Sequence, residues 1–489
     1  MSVRGNQNSS ALAWTRADSC VIGALLLAAC VTRFWDLASP AVMFFDEDIN
    51  VPWARCYLYG QPFANSHHPP LPILLIALSI LIFGDRSWSW RAPSATLGAS
   101  LVGVTYLLAR RMFHSRLAGA LASGLVLCSG LFLVNSRIAL HEIFYLTFGA
   151  VSFWLLFEYA DTERPKLRRR RLGWLGVTLG LGLASKLLIP ALMELLVLSF
   201  LVFEIAQHHR SGIHDEGPAL SSRREIVGAL ALVGGLSGLV YMAAYLPNYI
   251  LGWWTGIGDQ LAYYREMVNL DLNLSPTGHS YASRWWSWPL LLRPVLYYFH
   301  QGDVFIDANP SRAVIKALEN PVIGWAVLAA IVILMMQAVR EPSVSRLFIV
   351  TGYVVLLAMW VPIRRFTFLY HYSPALYLGL LALGALLAQC WQGETTTLEE
   401  GLLLATLIPS LVLGLGELGW VATAAIAITW LILCRWRRMV AARFVCVTLG
   451  MSVVVAFVFF WPLWMATPLA PGTMQARMWL RGPGIANWN

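Results

Sequence analysis

The chain has 489 residues, 58% of them hydrophobic and 12% charged, with a mean hydropathy of +0.62 and a formal net charge of +9. Too few polar side chains remain to cover a soluble domain of this length, so the composition specifies a polytopic membrane protein. The positive balance does not indicate nucleic acid, because the arginines fall in short clusters between apolar segments, the pattern that orients membrane spans.

In chain order, Arg4 and Arg16 precede a first span at about 18–36, which predicts a cytoplasmic N-terminus and an external Asp46-Glu47. Ionisable groups at a membrane surface are costly to desolvate, so the pair Asp46-Glu47 after Phe44-Phe45 is a functional candidate; a solvated helix end is the plain alternative. About twenty residues later His68-Pro69-Pro70-Leu71 opens an apolar stretch at 71–83. Its length of about thirteen residues is short for a span. A full crossing would also carry Arg110, Arg111 and the run from Arg168 to Arg171 to the outside, so this segment is expected as a re-entrant or interfacial helix on the outer face. Further spans are expected at about 93–109, 117–135, 142–160, 172–185, 187–205, 226–246, 321–339, 347–362, 370–390, 401–415, 418–433 and 444–465. That gives about thirteen spans, an external C-terminus and a single all-α integral-membrane domain over 1–489. Its two external loops are expected at 39–92, with the acidic pair and the interfacial helix, and at 247–320. The second loop carries His279 and the dense Trp285, Trp286 and Trp288, which suit the headgroup layer. No internal repeat, low-complexity tract or cleavable signal peptide is expected. The seven cysteines are scattered without a CxxC pair and read as small core residues.

On this map the external side gathers Asp46, Glu47, His68, Arg91, Arg137, Glu142, Lys186, His279, Arg364, Arg365 and His371. Each has a plain reading: Arg137 and Glu142 suit an ordinary interfacial pair, and Lys186 a snorkelling lysine. Together they place several cations beside the acids. A phosphate leaving group needs such cations, and a carboxylate facing them can act as base or positioning group. The chain has no Gly-x-x-x-x-Gly-Lys loop, Gly-x-Ser-x-Gly elbow, His-Glu-x-x-His or cytoplasmic Asp-x-Asp pair. A nucleotide-dependent cytoplasmic transferase is therefore not expected, and the donor should be activated by a lipid phosphate. No ligand cluster demands a metal.

Phe45-Asp46-Glu47, His68-Pro69-Pro70-Leu71, Arg91-Ala92-Pro93, Ser136-Arg137 with Glu142, Ala184-Ser185-Lys186, the segment from His279 to Pro289, Arg293-Pro294 and the stretch from Arg365-Phe366 to His371-Tyr372 together resemble the protein O-mannosyltransferases. The likeness runs from about residue 44 to Trp479-Leu480. It implies the membrane C-type glycosyltransferase (GT-C) fold and inverting transfer of mannose from a polyprenyl-phosphate donor to Ser or Thr hydroxyls of exported proteins. By the same resemblance Asp46 is the catalytic carboxylate near the acceptor hydroxyl and Glu47 its partner. Arg91, Arg137 and Lys186 fall at motif cations with phosphate or sugar-pocket roles. Pro72-Ile73 stands where the family usually has Gly-Lys, Glu142 where it has Asp, and the loops leave no room for the extra sugar-binding-like domain of eukaryotic members. A bacterial-type plasma (inner) membrane enzyme is expected, with a lipid-linked sugar phosphate as donor substrate, no required cofactor, a metal left open, and an acceptor protein or glycolipid as partner. A dimer is left open. Two alternatives stay open: a GT-C transferase moving another sugar, such as an aminopentose, onto an envelope glycolipid, and a transporter of a lipid-linked or anionic solute, against which the lack of repeated halves counts.

Overall fold

The computed structural model describes residues 13–62, 68–211, 218–273, 279–306, 309–482 and 487–488. Within the loop segments expected at 39–92 and 247–320, residues 63–67, 274–278 and 307–308 lie outside the described residues.

Helix α1 (Arg16–Phe34) starts at a capping box in which the Thr15 hydroxyl and the Asp18 carboxylate each accept from the other's backbone. Next come α2 (Glu47–Tyr59), closed by Gly60 at φ 70°, then α3 (Leu71–Phe83) and α4 (Ser87–Met112). The bounds of α3 are those expected from its apolar run. Val51, Trp53 and Ala54 of α2 meet Ile73, Ile76 and Ile80 of α3 and Trp90 of α4 in a small apolar cluster apart from the main core. One span expected at 117–135 is instead two pieces, α5 (Arg116–Leu127) and α6 (Gly130–Asn135). The break is chemical: the Ser129 hydroxyl accepts from the Phe132 N–H at 3.2 Å and donates to the buried Glu319 at 2.5 Å, which starts a new helix.

The chain continues through α7 (Glu142–Ala160), α8 (Pro165–Leu183), α9 (Leu188–Ser211), α10 (Pro218–Ala243), α11 (Leu246–Ile250) and α12 (Ile257–Asn273). An antiparallel hairpin follows, β1 (Val295–Ile306) with β2 (Asn309–Ala317), registered Val295 to Ala317 and Phe299 to Val314. The sequence reading did not foresee it, although Val295-Leu296-Tyr297-Tyr298-Phe299 is a β-branched and aromatic run of strand type. Its base is tied down from far along the chain: Leu469 exchanges backbone hydrogen bonds with Arg312, Lys316 donates to the Trp488 carbonyl, and the Trp488 indole donates to the Leu291 carbonyl at 2.6 Å. The remaining helices are α13 (Pro321–Arg340), α14 (Val344–Ala358), α15 (Ser373–Gln392), α16 (Thr397–Ala405), α17 (Leu407–Leu415), α18 (Glu417–Trp436), α19 (Arg438–Trp464) and α20 (Pro471–Gln475). Helix α15, apolar on every side, is buried along nearly its whole length and forms the centre of the bundle.

Ten helices among the described residues are long and apolar enough to cross a membrane. They match ten of the thirteen expected spans. The other three correspond to the shorter α5 and α14 and to α8, whose first turns carry Lys166 and Arg168 to Arg171. Helix α4 relates the two ends of the bundle. Its Arg91 and Arg110 are about 28 Å apart at the ordinary helical rise, close to a hydrocarbon thickness. At the Arg110 end Asp18 holds Arg110 and Arg116 at 2.8 and 3.0 Å, and Arg111 lies 2.8 Å from Asp161. At the Arg91 end lie the first acidic pair and the starts of α2 and α7.

Candidate active site

Phe45 leaves the loop after α1 with φ 53°, in the left-handed region that non-glycine residues rarely adopt. That turn sets Asp46 as the N-cap of α2 and Glu47 as its first helical residue. The Asp46 side chain makes no capping hydrogen bond, so its carboxylate is not committed to its own helix. Successive helical residues diverge by about 100°, and here the two acids face different partners. Glu47 is fully buried. It meets Arg91 bidentately, at 2.7 Å to Nε and 2.8 Å to Nη2, and accepts the Ala139 N–H at 3.1 Å. The other Arg91 donors go to the Leu37, Pro40 and Val42 carbonyls at 3.1, 2.8 and 3.0 Å. All five guanidinium hydrogens are thereby engaged.

Asp46, part-buried, lies instead in the field of Glu142, Lys186 and Asp48. Loss of hydration raises its pKa from 3.8 to about 7; the charges of Glu142 and Asp48 add to the rise and Lys186 opposes it. Glu142 opens α7, and Lys186 lies in the turn between α8 and α9. Their side chains meet at 2.6 Å, both nearly buried. The turn is braced by α3, whose Leu71 N–H donates to the Ala184 carbonyl at 3.0 Å. The Pro69-Pro70 element thus starts a helix that touches the lysine turn, while the His68 ring lies 4.8 Å from the His141 ring just before Glu142.

Aromatic rings wall this cluster. Phe45 stacks on Tyr297 of β1 at 4.1 Å and meets Tyr370 edge-on at 6.1 Å, and the Lys186 ammonium is 6.0 Å from both the Tyr145 and Tyr370 rings. The Tyr297 hydroxyl donates to Asn135 at 3.2 Å, and burial holds that phenol well above its usual pKa.

The expected residues therefore divide. Asp46, Glu142 and Lys186 come together, with His68 adjoining through His141. Glu47 and Arg91 form a closed ion pair behind them. Arg137 donates to the Arg33, Trp35 and Asp36 carbonyls at 2.8, 2.6 and 3.1 Å, which fastens the end of α1. His371 is buried between the Trp360 and Tyr370 rings, each at 4.5 Å, and accepts the Phe368 N–H at 3.0 Å. His279 is exposed, 4.7 Å from the Phe368 ring, its pKa lowered by partial desolvation. Arg364 is exposed and Arg365 part-buried. Tyr145, Tyr297, Tyr370 and His141 were not singled out from the sequence; His141-Glu142 at the start of a span was the available signal for the last. Among the described residues no group of three or more His, Cys, Asp or Glu side chains is placed to hold a metal ion.

The chain is similar to known proteins over most of its length. Residues 67–223 match the family model for dolichyl-phosphate-mannose-protein mannosyltransferase, and residues 258–482 match that for the C-terminal four-transmembrane region of protein O-mannosyltransferase. The polyprenol-phosphate-mannose protein mannosyltransferase of Mycolicibacterium smegmatis is 29% identical over 381 residues, 65% of this chain and 73% of the relative. That of Mycobacterium tuberculosis is 27% identical over 339 residues, 58% and 64% of the two chains. In fold, the S. cerevisiae Pmt1-Pmt2 complex bound to the sugar donor gives a TM-score of 0.75 at 15% identity, covering 97% of this chain and 94% of the yeast chain. ArnT from Cupriavidus metallidurans gives 0.56 at 13%, covering 92% and 78%.

Proposed function

Since this chain belongs to the protein O-mannosyltransferase family, we propose that it transfers a mannosyl group from a polyprenyl-phosphate donor to Ser or Thr hydroxyls of exported proteins, with inversion at the anomeric carbon. It is an integral membrane glycosyltransferase of GT-C fold. The observation that carries the reading is the opposition of the uncapped Asp46 carboxylate to the Glu142–Lys186 pair.

In the reaction, the acceptor hydroxyl attacks the anomeric carbon and passes its proton to Asp46, while the bond from that carbon to the phosphate oxygen breaks. The electron pair leaves with the polyprenyl phosphate, whose negative charge Lys186 faces. A carboxyl whose pKa stands near 7 suits this work, because it is ionised enough to accept a proton and basic enough to draw it. Lys186 supplies the positive charge in this scheme, so transfer should persist with a chelator present.

The same proposal sets the chain in the bacterial plasma membrane, N-terminus inside and Asp46 outside. The gathering of Arg110, Arg111 and Arg116 at the end of α4 away from Asp46 supports that orientation. The test is to incubate purified protein in lipid nanodiscs with polyprenyl-phosphate-mannose and a Ser/Thr peptide. One hexose added per hydroxyl, with release of polyprenyl phosphate, is expected. Consumption of donor only when an envelope glycolipid is added would move the acceptor class to lipid, and solute movement across liposomes with no sugar transfer would indicate a transporter.

A further inference from the structure

Around the Glu142–Lys186 pair lie polar atoms that the proposed proton and phosphate chemistry leaves unused. Asn135, His141, Glu142 and Tyr145 are 1%, 3%, 2% and 0% exposed. Each keeps one side-chain atom without a hydrogen-bond partner: Asn135 Nδ2, His141 Nε2, Glu142 Oε2 and Tyr145 Oη. Buried polar atoms are normally paired, and four orphans within one short stretch of chain are a concentration that a structural core does not tolerate without reason. The stretch sits against the site. Glu142 Oε1 accepts from Lys186, the Lys186 ammonium is 6.0 Å from the Tyr145 ring, and Asn135 Oδ1 accepts from Tyr297, whose ring stacks on Phe45 beside Asp46.

The chemistry of the four atoms selects their ligand. Asn135 Nδ2 only donates, Glu142 Oε2 as a carboxylate oxygen only accepts, and His141 Nε2 and Tyr145 Oη can do either. A phosphate offers acceptors alone and would be repelled by Glu142. His141 adds no positive charge, since burial and the nearby Lys186 hold its pKa down to about 3 and the ring stays neutral. Hydroxyl groups on a sugar ring both donate and accept, so they match all four atoms in kind where a phosphate does not.

We infer that Asn135, His141, Glu142 and Tyr145 form a sugar-reading subsite that holds the hydroxyls of the donor hexose, distinct from the Lys186 side that faces the phosphate. This rests on the proposed donor, and it makes these four residues positioning and specificity residues, not proton carriers. Tyr145→Phe removes one hydroxyl and little else; His141→Asn is a second, independent removal.

The experiment titrates full-length protein in nanodiscs with two probes, polyprenyl-phosphate-mannose and polyprenyl phosphate without sugar. Each variant is expected to weaken binding of the sugar-bearing lipid about tenfold and leave the sugar-free lipid within about twofold of wild type. The preference of transfer for the mannosyl over the glucosyl donor should narrow in parallel. Equal losses for both lipids in both variants, or unchanged affinity and unchanged sugar preference in both, would overturn the subsite. A wild-type protein that binds polyprenyl phosphate but gains nothing from the attached mannose would overturn the proposed donor itself, and is read before any variant is made.

Discussion

Two neighbouring acids, Asp46 and Glu47, face regions built on opposite rules. The Glu47–Arg91 pair itself is saturated, its five arginine hydrogens and two carboxylate oxygens engaged with each other, three carbonyls and one amide, although Trp90 Nε1 and Ser94 Oγ beside it have no partner. In front of Asp46 the polar groups are under-matched, walled by aromatic rings and grouped around one lysine. A fully engaged ion pair has no hydrogen-bonding capacity left for a ligand, whereas the Asp46 side keeps such capacity, which is why the proposed chemistry is placed there. Sequence adjacency is no guide, since one helical step separates the two environments.

Substitution of either acid should affect a different property of the protein. Asp46→Asn should reduce kcat about a hundredfold to ten-thousandfold, the scale of general-base assistance, with thermal unfolding unaltered near neutral pH or shifted slightly upward; a variant with near-normal transfer would remove Asp46 from the chemistry. Glu47→Ala leaves the buried Arg91 guanidinium unpaired, and a loss of about 3–5 kcal/mol in stability is expected, with activity following the folded fraction. Should Glu47→Ala instead fold normally and lose only turnover, Glu47 would belong to the site.

A pH profile sharpens the contrast at smaller amplitude. The Asp46 carboxyl must be ionised to accept a proton, so kcat/KM should fall about tenfold per pH unit below about 7 and level off above it. Stability carries the opposite sign. Between pH 3.8 and about 7 the folded chain retains a proton that the unfolded chain has released, so this group's contribution declines as pH rises through that window, and Asp46→Asn should abolish the decline. The smallest effect is expected at the wall: Phe45→Ala removes the ring stacked on Tyr297, worth about 0.5–1.5 kcal/mol, and should lower turnover modestly while leaving the Glu47 side intact in differential scanning measurements.

The helices were legible because their apolar runs are long, and α3 was read to the residue because Pro69-Pro70 and Gly84 bracket it. The break at Ser129-Gly130 carried a turn dipeptide, yet a continuous apolar stretch outweighed it. What decides between Glu47 and Asp46 was not legible: Arg91 lies 44 residues beyond Glu47, and only the packing of α4 against the first loop reveals that its donors are all engaged. Arg137 escaped for the same reason, its acceptors being carbonyls at the end of α1, which have no signature of residue type. Tyr145, Tyr297 and Tyr370 were hidden by frequency, since tyrosine is common wherever a chain meets a membrane surface.

The bent backbone at Phe45 carries a cost of about 1–3 kcal/mol for a residue other than glycine, and its ring is held by a strand that begins some 250 residues later. A nascent chain would thus expose the acid long before anything fixes its direction. Only when the strand has been made and docked does Phe45, and with it the backbone that carries Asp46, gain the ring that holds it in this direction.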